Sequence, residues 1–135
     1  ISDPFVKDED IPEHYTKVDL IDGISKADVI TLHSSGEDLM LGEKEFDLVK
    51  SGVYILNAAR GSLIDEGALE KSLNSGKVAG AWLDTFEKEP YTGNLSKYNQ
   101  VILTPHIGSY TIEGRKKMEL DSVNNLLQGL GLKSK

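Results

Sequence analysis

The sequence predicts an α/β domain built on a doubly wound parallel sheet. Three observations predict it. Short β-branched apolar runs alternate along the chain with longer stretches of helical spacing. The runs are apolar on consecutive residues, as strands buried on both faces are, so helices are expected on each side of the sheet. Helix-stopping glycines, Gly52 and Gly76, each precede a strand.

Taken in order, the first 25 residues are the least regular. They hold a stub ending in Asp3-Pro4, an acidic stretch Asp8-Glu9-Asp10, and Tyr15 to Ile24 as a short helix or strand. The first clear strand is Ala27 to Leu32. After a Gly/Ser/acidic turn, Glu43 to Lys50 reads as a helix with Phe46, Leu48 and Val49 as its apolar face. Val53 to Ala58 follows as a near-continuous apolar strand. Asp65 stands where an N-cap is wanted, ahead of Ala68, Leu69, Ser72 and Leu73. Val78 to Leu83 is a third strand, and a loop with Glu87, Glu89, Pro90, Gly93 and Asn94 leads to a fourth, Val101 to Thr104, ended by Pro105. A long amphipathic helix runs from about Thr111 to Leu130, with Met118, Val123, Leu126 and Leu127 as its core-facing set. The Lys116-Lys117 pair and the Lys133-Ser134-Lys135 tail read as solvated charge.

Composition narrows the function. With 135 residues, 39% hydrophobic and 27% charged, the chain suits one ordinary domain. Fifteen Lys+Arg against 22 Asp+Glu give a net charge of −7, which argues against a broad nucleic-acid-binding face. The absence of cysteine excludes a disulfide scaffold, a thiolate zinc site and a cysteine nucleophile, and fits a cytoplasmic protein. No run approaches the roughly 20 apolar residues of a membrane helix, and Ile1-Ser2-Asp3-Pro4 does not resemble a signal peptide. An apolar first residue and no Met suggest a chain cut from something longer.

Parallel α/β sheets place their chemistry at the carboxyl ends of strands. That rule selects His33 and Ser34 after the first strand, Ala59-Arg60-Gly61 after the second, Asp84 after the third, and His106-Ile107-Gly108-Ser109 after the fourth. Glu89, in the loop before the fourth strand, is close enough in sequence to turn back to the same edge. An arginine presents a planar fork for a carboxylate or carbonyl oxygen. An imidazole exchanges protons near neutrality, and a neighbouring carboxylate orients the ring and favours its protonated form. Singly, each residue also has an ordinary structural use: Arg60 in a strand-end ion pair, His106 as a helix cap, Glu89 in a solvated loop, His33 as a strand terminus.

Joint spacing is more specific. The block Asn57-Ala58-Ala59-Arg60-Gly61-Ser62-Leu63-Ile64-Asp65-Glu66-Gly67-Ala68-Leu69, the block Ser75 to Pro90 containing Leu83-Asp84-Thr85-Phe86-Glu87-Lys88-Glu89-Pro90, and Leu103-Thr104-Pro105-His106-Ile107-Gly108 resemble the NAD-dependent D-isomer-specific 2-hydroxyacid dehydrogenases, closest to the phosphoglycerate and glycerate dehydrogenase branch. The resemblance runs from about Ala27 to Leu130. It implies a Rossmann-like NAD-binding domain. It implies that Arg60 clamps the carboxylate and carbonyl of a 2-oxo acid, that His106 is the acid/base, and that Glu89 rather than Glu87 pairs with it. It implies that Asp84 holds the nicotinamide carboxamide, and that Ser34, Ala58, Ala59 and the segment from His106 through Gly108 to Ser109 contact the cofactor. Asp3 resembles the carboxylate that binds the adenosine ribose hydroxyls and repels a 2′-phosphate, favouring NAD over NADP. Partners expected from the family are a small 2-hydroxy or 2-oxo acid and, for the full-length parent, a second copy in a homodimer, with no nucleic acid and no membrane.

Two departures from the family pattern stand out. The loop His33 to Gly42 is a few residues short and carries Ser35-Gly36 where Pro-Leu is common; that loop and the following helix often serve dimer contacts in the family. No Gly-x-Gly-x-x-Gly segment occurs, and Asp3 stands where the acidic residue about 20 positions beyond it is expected. The chain is thus expected to be a partial NAD-binding domain, residues 1–135, lacking its first strand and glycine-rich loop as well as the substrate-binding domain. Competing readings are a dinucleotide-sensing scaffold similar to corepressors of the same fold, and an inactive fragment of the enzyme.

Overall fold

A computed structural model describes residues 1–132; the Lys133-Ser134-Lys135 tail lies outside them. Two compact units are present, Ile1–Pro105 and His106–Lys135. In the first, four strands form one parallel sheet in sequence order: β1 (Val29–Leu32), β2 (Val53–Asn57), β3 (Val78–Leu83) and β4 (Val101–Leu103). Each strand is within a residue or two of its expected range. Helix α1 (Leu20–Lys26) precedes β1, while α2 (Glu43–Leu48) and α3 (Glu66–Asn74) make the crossovers from β1 to β2 and from β2 to β3. α1 resolves the helix-or-strand alternative at Tyr15 to Ile24, because Asp19 caps it by accepting hydrogen bonds from the backbone N–H groups of Ile21 and Asp22. Asp65 caps α3 through Ala68 N–H, as expected, and buries Ala68, Leu69, Ser72 and Leu73. Gly52 and Gly76 take φ of 84° and 74°, a region that side-chain-bearing residues avoid.

The core lies between these helices and one face of the sheet. Ile30, Leu32, Val53, Ile55, Ala81 and Leu83 meet Phe46, Leu41, Leu63, Leu69 and Leu95 there. Burial of a side chain such as Phe46, 2% exposed, is worth about 1.5–3 kcal/mol. Three expectations need correction. α2 ends at Leu48, two residues early, because Val49 turns to an extended ψ of 151°. That turn buries Val49 and leaves Leu48 exposed. The strands are apolar on both faces, but only one face is covered by the helices of this unit. On the other, Val29, Tyr54 and Ile102 are half exposed or more, aligned through the pairs Val29 with Tyr54 and Trp82 with Ile102.

The third correction concerns the second unit, which contains α4 (Ile112–Gly129), capped by Thr111 through Gly114 N–H. α4 has the expected limits but no buried residue. Met118, Val123 and Leu126 of its expected core-facing set are each more than half exposed, and Leu127 is half-buried. Helical spacing encodes an apolar stripe; it does not supply the surface that buries it. The solvated charge of Lys117 is as expected, paired with Asp121 at 3.5 Å. Among the described residues no helix is long and apolar enough to cross a membrane.

Candidate functional site

The carboxyl end of the sheet is organised around a buried asparagine. Asn57, 1% exposed, ends β2. Its Oδ1 accepts from Ala59 N–H at 3.0 Å and its Nδ2 donates to the Arg60 carbonyl at 2.9 Å. The turn Ala58-Ala59-Arg60 is therefore tied to the side chain of the strand's last residue. Arg60 is exposed, with Nη1 donating to the Ala59 carbonyl at 2.7 Å, so its guanidinium stands over the turn. The backbone carbonyl of Asn57 also accepts from Asp84 N–H at 2.9 Å, joining the ends of β2 and β3.

Gly61 brings the loops after those two strands into contact. A Cβ at this position would lie 1.9 Å from the Phe86 carbonyl carbon and 2.3 Å from Glu87 N, so only glycine admits the approach. On the opposing loop, Glu89 is exposed and its Oε1 accepts from Phe86 N–H at 3.1 Å, which turns the carboxylate back toward the strand end. Glu66, at the start of α3, braces the same loop through the Glu87 backbone and the Tyr91 side chain. Burial outweighs these contacts and raises its carboxyl above the ordinary glutamate value. Tyr91 stacks on Phe86 with ring centroids 4.3 Å apart, and burial raises its phenol too.

Asp84 is the buried acidic side chain of the site, 1% exposed. Its Oδ1 accepts from Thr104 Oγ1 at 2.5 Å, and Thr104 Oγ1 in turn accepts from Trp82 Nε1 at 3.1 Å. Next to it, Thr85 Oγ1 is buried with no hydrogen-bond partner, an unsatisfied polar group of the kind a bound polar ligand can satisfy. A buried carboxylate at a strand end is an acceptor suited to an amide N–H, which is the donor a nicotinamide carboxamide presents. The acceptor thus fits that group.

The other expected residues are distributed as follows. Ser34 follows β1 and its Oγ accepts from Gly36 N–H, while His33 Nε2 lies 3.0 Å from Thr31 Oγ1. Asp3 turns the amino-terminal segment by accepting from Phe5 and Val6 N–H at Oδ1. It lines a cavity of about 660 Å³ with Lys17, Asp19 and Met40. His106 opens the second unit with φ of 54°, followed by the exposed Gly108 and Ser109. Within the first unit, then, Arg60 and Asp84 follow the carboxyl ends of β2 and β3 and Glu89 lies on the loop after β3, whereas Asp3 lies in a different segment. Sequence reasoning passed over Asn57, Thr104 and Trp82. An asparagine ending an otherwise apolar strand, two residues before the first residue whose N–H it binds, was the available signal.

Comparison with known proteins shows the family. Residues 1–108 match the family model of the D-isomer specific 2-hydroxyacid dehydrogenase, NAD binding domain. The chain is 45% identical to the 4-methyl-2-oxopentanoate reductase A of Aspergillus oryzae over 76% of its length and 32% of that protein. It is 36% identical to the D-3-phosphoglycerate dehydrogenase of Archaeoglobus fulgidus over 98% of its length and 27% of that protein. Among solved structures it superposes with a TM-score of 0.74 on the NAD-complexed D-isomer specific 2-hydroxyacid dehydrogenase of Lactobacillus delbrueckii ssp. bulgaricus, 32% identical, covering 89% of this chain and 42% of that one. The chain thus spans well under half the length of these relatives. Since the matched residues include the strands, crossovers and strand-end loops described above, the chain belongs to the D-isomer specific 2-hydroxyacid dehydrogenases, within their NAD-binding domain.

Proposed function

We propose that the protein carrying this chain is an NAD-dependent oxidoreductase that transfers a hydride between the nicotinamide ring and C2 of a D-2-hydroxy acid or its 2-oxo acid, similar to phosphoglycerate and glycerate dehydrogenases. One observation carries the reading: the Asn57-braced turn that bears the exposed Arg60 runs into Gly61, which packs against the loop after β3 that carries the buried Asp84 and the exposed Glu89. Arg60 binds the substrate carboxylate and polarises the C2 carbonyl. His106 donates a proton to the carbonyl oxygen in reduction and accepts the hydroxyl proton in oxidation, and Glu89 orients it. Asp84 would hold the nicotinamide carboxamide by accepting a hydrogen bond from its N–H. Ser34, Ala58, Ala59, Gly108 and Ser109 line the dinucleotide, and Asp3 accepts from its adenosine ribose hydroxyls and disfavours a 2′-phosphate. The cofactor, when bound, supplies the hydride. The protein works as a cytoplasmic homodimer.

The test is NADH oxidation by the full-length protein with a panel of 2-oxo acids. Arg60→Ala lowers kcat/KM by on the order of 10³-fold. A near-normal value overturns the assignment.

A further inference from the structure

We propose that Thr104 is a positioning residue for Asp84, held in its donor state by Trp82, and that this relay sets how strongly the site selects a carboxamide on the nicotinamide ring. Trp82 is the next-to-last residue of β3 and Asp84 follows the strand directly, two residues on. β4 pairs with β3 so that Ile102 is opposite Trp82 and Leu103 opposite Leu83, which brings Thr104 opposite Asp84. The Thr104 backbone is fixed at that register by its N–H bond to the Leu83 carbonyl, 3.0 Å.

The direction of the chain follows from donor chemistry. An indole N–H only donates, so Thr104 Oγ1 must be the acceptor of the 3.1 Å contact from Trp82 Nε1. The hydroxyl's one proton is given to Asp84 Oδ1, 2.5 Å away. Asp84 Oδ1 is therefore an acceptor. An O–H···O bond of this length fixes the rotamer of an acidic side chain that has almost no contact with solvent. A ligand amide N–H then meets an acceptor already oriented, with no rotor to freeze on binding.

The inference rests on the assignment of Asp84 to the carboxamide, and the experiment separates the two. Dissociation constants are measured by NADH fluorescence for NADH and for its 3-acetylpyridine analogue, which replaces the amide NH₂ by a methyl group. The full-length protein is compared as wild type, Thr104→Val, Thr104→Ser and Trp82→Phe, each with its melting temperature. The wild type prefers NADH by on the order of tenfold, the worth of one hydrogen bond to a charged acceptor. Thr104→Val, close in shape but without the hydroxyl, loses most of that preference, Thr104→Ser keeps it, and Trp82→Phe falls between. Thr104→Val retaining the full preference, equal weakening of both ligands, or a Trp82→Phe ratio equal to the wild type overturns the relay while leaving the Asp84 assignment in place. A wild type with no preference overturns the assignment and the relay together. If Thr104→Val does not fold, the Ser and Phe variants still decide the ratio.

Discussion

Replacing Gly61 by alanine forces apart the two loops that carry Arg60 and Glu89. The added Cβ would lie 1.9 Å from the Phe86 carbonyl carbon, 2.3 Å from Glu87 N and 2.4 Å from Phe86 O, all backbone atoms that no side-chain rotation can move. Raising the shortest contact to an ordinary carbon–carbon separation of about 3.4–3.5 Å moves one backbone segment from the other by roughly 1.5 Å. Overpacking of this kind costs about 1–3 kcal/mol. For a domain of this size that lowers Tm by roughly 3–12 °C. A displacement of about 1 Å between groups that act on one substrate costs on the order of 10²-fold in rate. Gly61→Ala is therefore expected to lower Tm in a thermal melt followed by circular dichroism. It also lowers kcat/KM for the 2-oxo acid in the full-length protein by about a hundredfold, by the same estimate. Gly129→Ala provides the contrast, because its Cβ meets nothing within 4 Å, and it leaves the rate unchanged. A Gly61→Ala protein with wild-type Tm and rate would refute the reasoning from close approach.

Two further outcomes follow from neighbouring contacts. Asn57→Ala leaves Ala59 N–H without its partner and takes one of two donors from the Arg60 carbonyl, which keeps Leu63 N–H; at about 1 kcal/mol per lost bond the variant melts lower, and KM for the oxo acid rises more than the Kd for NADH because the loosened turn carries Arg60. An equal change in both constants would contradict the brace. Glu66 has its carboxyl raised by burial, so its protonated form is the one the fold favours: its contribution is fully present below the ordinary glutamate value and is lost as pH rises through the raised value in the folded state. Tm curves against pH for wild type and Glu66→Gln should meet in acid and separate toward neutrality with Gln above, and parallel curves would count against desolvation as the cause.

What the sequence by itself determined is what local chemistry encodes. Alternating β-branched runs and capped helices place four strands and the helices between them, Asp65 caps α3, and Gly52 and Gly76 adopt positive φ because nothing else fits there cheaply. The strand-end rule then selects His33, Ser34, Arg60, Asp84 and His106 as candidates, with Glu89 in the loop before β4, and the order of the three motif blocks points to the family. The two-faced apolar strands and the stripe on α4 were also legible, but which faces become covered was not: Tyr54, Ile102 and Met118 have the composition of core residues and are exposed. Burial depends on what lies opposite, and periodicity describes only one partner. Tertiary structure alone decided the contacts between residues far apart in the chain. The Gly61 to Phe86 approach and the Trp82, Thr104, Asp84 hydrogen bonds each require a strand register and a loop path set by the whole sheet. A buried carboxylate needs a donor, and only the pairing of β3 with β4 brings the Thr104 hydroxyl to Asp84.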